Sequence, residues 1–135
     1  MSNRRIYIVF IFVSIILSTL LTGCKKITEG DIVGRWKYIN IYNMSSPTEE
    51  VWEFTSEKNL YITQADKSTP NVINKKYMGR YSVIWKGSNT VVKITDLPLV
   101  HLNLSWTIKN MNEDILVLFS NVDRNYMLRE FTKIK

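Results

Sequence analysis

The sequence predicts an all-β domain of eight antiparallel strands, joined up and down and closed into a barrel. Three observations carry this expectation. Apolar and polar residues alternate with a period of two through eight segments, turn-forming stretches of hairpin length separate nearly all of them, and no segment after residue 24 sustains the 3.6-residue stripe of an amphipathic helix. An open sheet of eight sequential strands would leave two unpaired edges, and closure removes them.

The first strand reads "IVGRWKYINIY", with Trp36 and Tyr38 two apart on the inward face, and stops at the turn stretch "NMSSPT". "EEVWEFTS" follows with Trp52 and Phe54 inward, then "SEKN" and the third strand, "NLYITQA". A longer loop, 65–75, leads to "KYMGRYSVIW", in which Tyr77, Tyr81 and Trp85 share one phase. "KGSN" separates it from "NTVVKIT", and "DLP" separates that from "VHLNLSWTIK". The last is the cleanest alternation in the chain: Val100, Leu102, Leu104, Trp106 and Ile108 against His101, Asn103, Ser105, Thr107 and Lys109. "ILVLFS", with Phe119 read as inward, and "YMLREFTKI" complete the eight, after the turns "NMNED" and "NVDRN".

Ahead of these strands the composition changes. Arg4 and Arg5 precede an uncharged apolar run, 6–21, and small or polar Thr22 and Gly23 lead to Cys24, the only cysteine. A basic start, an apolar stretch and a small-residue cleavage site make a secretory signal. The run is shorter than the roughly 18 to 20 residues a spanning helix prefers. Leu21-Thr22-Gly23-Cys24 resembles the lipobox of bacterial lipoproteins. The resemblance implies cleavage before Cys24, a diacylglycerol on its thiol and palmitate or a similar acyl group on the new amine, which together anchor a chain far more firmly than one acyl group. The expected organisation is a signal peptide, 1–23, a lipidated tether, 24–30, and a single domain, 31–135. The 112 residues from Cys24 onward suffice for one small core.

Several chemistries are then excluded. With Cys24 a thioether there is no free thiol, no disulfide and no CxxC metal site, and His101 is the only histidine. Zinc sites with several His or Cys ligands cannot be assembled, and a Ser/His/Asp triad would have to rest on a residue that reads as a strand histidine on the polar face. Glu49, Glu50, Glu53, Glu113 and Asp114 read as solvated edges and turns. There is no Gly-rich phosphate loop among five glycines and no acidic metal loop. No metal, cofactor or catalytic residue is expected. The chain carries 18 Lys plus Arg against 12 Asp plus Glu, or +6, and without Arg4 and Arg5 it carries 16 against 12, or +4. The basic residues are scattered over strands and turns, which reads as a solvated exterior open to anionic lipid or polysaccharide and not as a nucleic-acid surface.

Gly34-Arg35-Trp36 at the beginning of the first strand resembles the G-x-W signature of lipocalins. "GRYSVIW", "LSWTIKNMNEDILVLFS" and "YMLREFTKI" are similar to the small lipocalin-like domains of Bacteroidetes-type lipoproteins. The resemblance implies that Gly34 lets the strand bend, that Trp36 plugs the narrow end, and that Arg129 from the last strand lies over Trp36, with Lys133 as competitor for that place. It also implies a cup for one small apolar or amphipathic molecule, lined by Tyr38, Phe54, Tyr81, Trp85 and Trp106. The alternative is a ligand-free envelope module that contacts an outer-membrane protein, glycan or protease, since aromatic residues at strand spacing also fill cores. The sequence after Cys24 lacks both an Asp at the next position and an acidic run. A monomer on the periplasmic side of the outer membrane is expected.

Overall fold

The computed structural model describes residues 26–40, 44–69 and 72–135; Cys24 and the expected signal segment lie outside them. Eight antiparallel strands run up and down in chain order: β1 (Gly34–Ile39), β2 (Thr48–Phe54), β3 (Asn59–Asp66), β4 (Ile73–Lys86), β5 (Asn89–Thr95), β6 (Ser105–Met111), β7 (Ile115–Val122) and β8 (Asn125–Lys133). Each is hydrogen-bonded to its neighbours, and β8 closes the ring on β1 from Trp36↔Lys133 to Ile39↔Glu130. This closed ring is compatible with a lipocalin-like fold. Its lower end carries the β2–β3, β4–β5 and β6–β7 hairpins, and its upper end the other four connections.

Alternation decides what fills the ring. Trp36, Trp52, Phe54, Leu60, Ile62, Val92, Ile94, Trp106, Leu116, Leu118 and Phe131 all point inward and are buried. Trp52 is central: its ring lies 5.0 Å from Phe131 and meets Trp106 edge-on at 6.2 Å. Phe54 and Tyr81 meet edge-on at 5.0 Å. Eight strands enclose a space just wide enough for such side chains, so these aromatics form a packed core through the middle of the ring.

Each end is partly covered by a short element that gives no periodic signal. At the lower end a one-turn helix, α1 (Glu29–Ile32), begins inside the segment expected to be tether. Asp31 accepts hydrogen bonds from the Thr28 backbone N–H and hydroxyl, both at 2.7 Å, and fixes its first turn. Ile32 is fully buried, and its carbonyl accepts the Trp36 indole N–H at 2.8 Å. At the upper end the connection 96–104 folds into a 3-10 turn, Val100–Leu102. The strand expected from Val100 to Lys109 therefore starts only at Ser105, and His101 is an exposed turn residue. The cause is Asn103, whose side chain bonds both the N–H and the C=O of Leu97 at 2.9 Å and ties the segment into a loop. Leu102 is buried, while Val100 is left outside.

Two glycines are required by close approach. A Cβ on Gly79 would stand 2.6 Å from Leu97 Cγ and 2.7 Å from the Thr95 carbonyl, where β4 passes under the upper connection. Gly34 has φ +137, and a Cβ there would stand 3.0 Å from Lys133 Cε.

Candidate functional site

The ring opens where β1 and β2 part. They pair from Gly34↔Phe54 to Lys37↔Val51, after which β1 continues against β8 to Ile39 while β2 stays with β3 up to Thr48. The gap forms a cleft of about 240 Å³ whose walls include Lys37, Tyr38, Met44, Glu49, Glu50 and Lys67. Lys37 and Glu49 form an ion pair beside it.

Beneath the cleft lies a mostly buried polar cluster on the inward face. Glu50 Oε1 accepts from Arg129 Nη1 and from the Trp52 indole N–H, both at 2.8 Å, and its Oε2 accepts from Gln64 Nε2 at 2.9 Å. The Arg129 and Glu50 side chains are only 17% and 16% exposed. Arg129 also lies over the Tyr38 ring at 4.6 Å and the Trp52 ring at 5.4 Å. A planar guanidinium suits this position, since it can bond a carboxylate through its edge and cover an aromatic ring with its face. Three donors hold the Glu50 carboxylate in one orientation, with the Arg129 guanidinium as its charge partner. The cleft above can offer a polar molecule the charged groups of Lys37, Glu49 and Lys67, and an apolar one the Tyr38 ring and Met44.

The expected site residues do not form one site. Tyr38 stands at the cleft. Phe54 and Trp106 are buried in the packed middle, and Trp106 donates its indole N–H to the Leu102 carbonyl at 3.2 Å. Tyr81 is buried beside Phe54, with its hydroxyl donated to the Thr55 carbonyl at 2.7 Å. Trp85 is at the opposite end and 44% exposed, because β4 continues past the ring's rim, and Lys26 Nζ lies 4.3 Å over it. Phe119 faces outward, stacked on Tyr126.

The expected closure pair is also corrected. Trp36 is fully buried near the lower end, but the cation over it is Lys133, at 4.9 Å, and not Arg129. The register explains this: Lys133 stands opposite Trp36, whereas Arg129 is two inward positions higher. Glu50, read from the sequence as a solvated edge residue, is the centre of the buried cluster. Its place two residues before Trp52, on the same phase, was the available signal.

A second cleft, about 560 Å³, opens at the lower end between Ile27, Gly30, Met111 and Lys133. Among the described residues no group of three His, Cys, Asp or Glu is arranged to hold a metal ion. Comparison of the chain with protein-family models, curated proteins and solved structures finds no match.

Proposed function

We propose that this chain is a lipid-anchored, lipocalin-like binding module of the bacterial envelope, without catalytic chemistry, that takes a small amphipathic molecule at the upper end of its ring. The observation that carries this reading is the cleft where β1 and β2 part, directly above the Glu50–Arg129 pair. The filled middle moves the ligand from the interior to the mouth, since Trp52, Trp106 and Phe131 leave no room for a buried acyl chain. At about 240 Å³ the cleft also falls below the roughly 300 to 1,000 Å³ of drug-sized pockets. A headgroup-sized molecule with one apolar face fits better than a whole fatty acid. On this reading the module sits on the periplasmic side of the outer membrane, held through Cys24.

The test is native mass spectrometry of the lipoprotein taken gently from its own host, followed by thermal shift against short-chain zwitterionic amphiphiles. A ligand at a hundred times its Kd stabilises the fold by about 2.7 kcal/mol. Tyr38→Ala should abolish the shift and leave the strand content unchanged. The absence of any adduct and any shift would end the small-ligand reading.

One observation favours a second reading, an interaction module that contacts an outer-membrane protein, glycan or protease. Ile84, Val91, Thr107, Phe119 and Leu128 stand in register on the outer wall of five consecutive strands. Val91 is already buried among its neighbours, Ile84 and Leu128 are exposed, and exposed Tyr126 extends the row beside Phe119. Such a row on a sheet exterior is a surface that another molecule can cover.

A further inference from the structure

We infer that the lower end of the ring rests in the headgroup region of the membrane that holds the anchor, with Trp85 inserted there and the upper cleft turned away. The inference depends on the reading that Cys24 carries lipid, and it follows from how little chain remains between Cys24 and the packed fold. Ile27 packs against the core, Ile32 is fully buried, and Glu29 pairs with Lys58 at 3.3 Å. The expected seven-residue tether is thus largely taken up by the fold. From Cys24 to Lys26 the chain can span roughly 7 Å, at about 3.3 to 3.6 Å per residue. A ring held so closely cannot turn freely above the bilayer.

What the anchor brings to the surface suits that place. Lys26 lies over Trp85, and Lys86 and Gly87 continue from it at the tip of the β4–β5 hairpin. An indole beside lysines, with apolar stems and wet ends, is the side-chain set that favours the membrane–water interface. Of the other charges at this end, Lys58 pairs with Glu29 and Lys135 with Asp114 at 3.2 Å, while Glu57 and Glu113 in the β2–β3 and β6–β7 hairpins offset Lys26 and Lys86. Insertion of Trp85 therefore supplies the contact, with little dependence on anionic lipid.

The chain reports on this directly. Trp36, Trp52 and Trp106 are fully buried, so Trp85 is the one tryptophan of the four that a collisional quencher can reach. The lipoprotein is purified from membranes and returned to phosphatidylcholine vesicles, with or without lipid brominated high on the acyl chain, and its intact mass is measured. Brominated lipid should quench part of the fluorescence, W85F should lose most of that quenching, and added phosphatidylglycerol should change little. Aqueous iodide should quench the vesicle-bound protein less than the same protein after enzymatic delipidation, a comparison that needs no variant. An acylated mass together with undiminished iodide quenching in vesicles would overturn the orientation and leave the anchor standing. A mass without lipid would overturn the anchor reading and the orientation with it.

Discussion

Removing one member of the Glu50–Arg129 pair should destabilise the ring, and Glu50 should matter more than Arg129. Glu50→Leu leaves three donors without their acceptor, the Arg129 guanidinium, the Trp52 indole N–H and the Gln64 amide. Arg129→Met leaves a carboxylate that still holds two of its three hydrogen bonds. Breaking a fully buried pair costs about 3 to 5 kcal/mol and an exposed one about 0 to 1. With side chains 17% and 16% exposed, this pair lies nearer the buried limit. The expected losses are about 2 to 4 kcal/mol for Glu50→Leu and about 1 to 3 for Arg129→Met, and the double variant should lose about 1 to 2 less than their sum. Urea unfolding at neutral pH, followed by tryptophan fluorescence at low and high salt, measures all three. Salt should change the differences little, because the pair is shielded from solvent ions. Strict additivity, or a larger loss for Arg129→Met, would refute this account of the cluster.

Trp36→Ala should cost about 3 to 5 kcal/mol, as for other large buried side chains. In double-variant cycles it should couple to Lys133→Met by about 0.5 to 1 kcal/mol and to Arg129→Met hardly at all, which tests the corrected closure pair by urea unfolding. Burial, with a smaller contribution from the Glu29 and Glu57 carboxylates, pushes the Tyr81 phenol above its ordinary range. The unfolded chain therefore releases that proton first, so the associated stability is present below the ordinary value of about 10 and is lost as pH rises through the folded pKa. Thermal unfolding across alkaline pH should show Tyr81→Phe with a shallower decline, after a cost near neutrality of about 0.5 to 1.5 kcal/mol for its hydrogen bond to Thr55.

The strands were legible because a sheet with one buried face writes its period into the sequence, and the closed ring followed from what two unpaired edges would otherwise expose. Misreadings fall where that period is carried by residues buried for another reason. Leu102 and Leu104 continue the beat of Trp106, yet Leu102 is buried from a 3-10 turn held by Asn103. In "ILVLFS" nearly every residue is apolar, so phase could not be assigned from hydrophobicity. Leu116, Leu118 and Ser120 face inward, which turns Phe119 out. Trp85 shares the phase of Tyr81, but β4 outruns the ring, and its last inward residue faces past the rim. Four residues of α1 are too few to show a helical stripe.

The polar cluster was hidden for a different reason. Local pattern treats a glutamate beside two others as solvated, and the partner that makes Glu50 tolerable inside lies 79 residues away on β8. Ring closure alone brings them together. A largely buried ion pair is often no more stable than apolar residues of similar volume, so its presence under an open cleft calls for a reason beyond folding. The double variant Glu50→Leu/Arg129→Met separates the two reasons. If it still folds, with no more than the stability loss expected above, but loses the ligand-dependent thermal shift, the pair serves the cleft by fixing Tyr38 and presenting charge at its floor. If it keeps the shift while losing stability, the pair only satisfies the Trp52 and Gln64 donors, and recognition rests on Tyr38 with Lys37, Glu49 and Lys67 on the cleft walls.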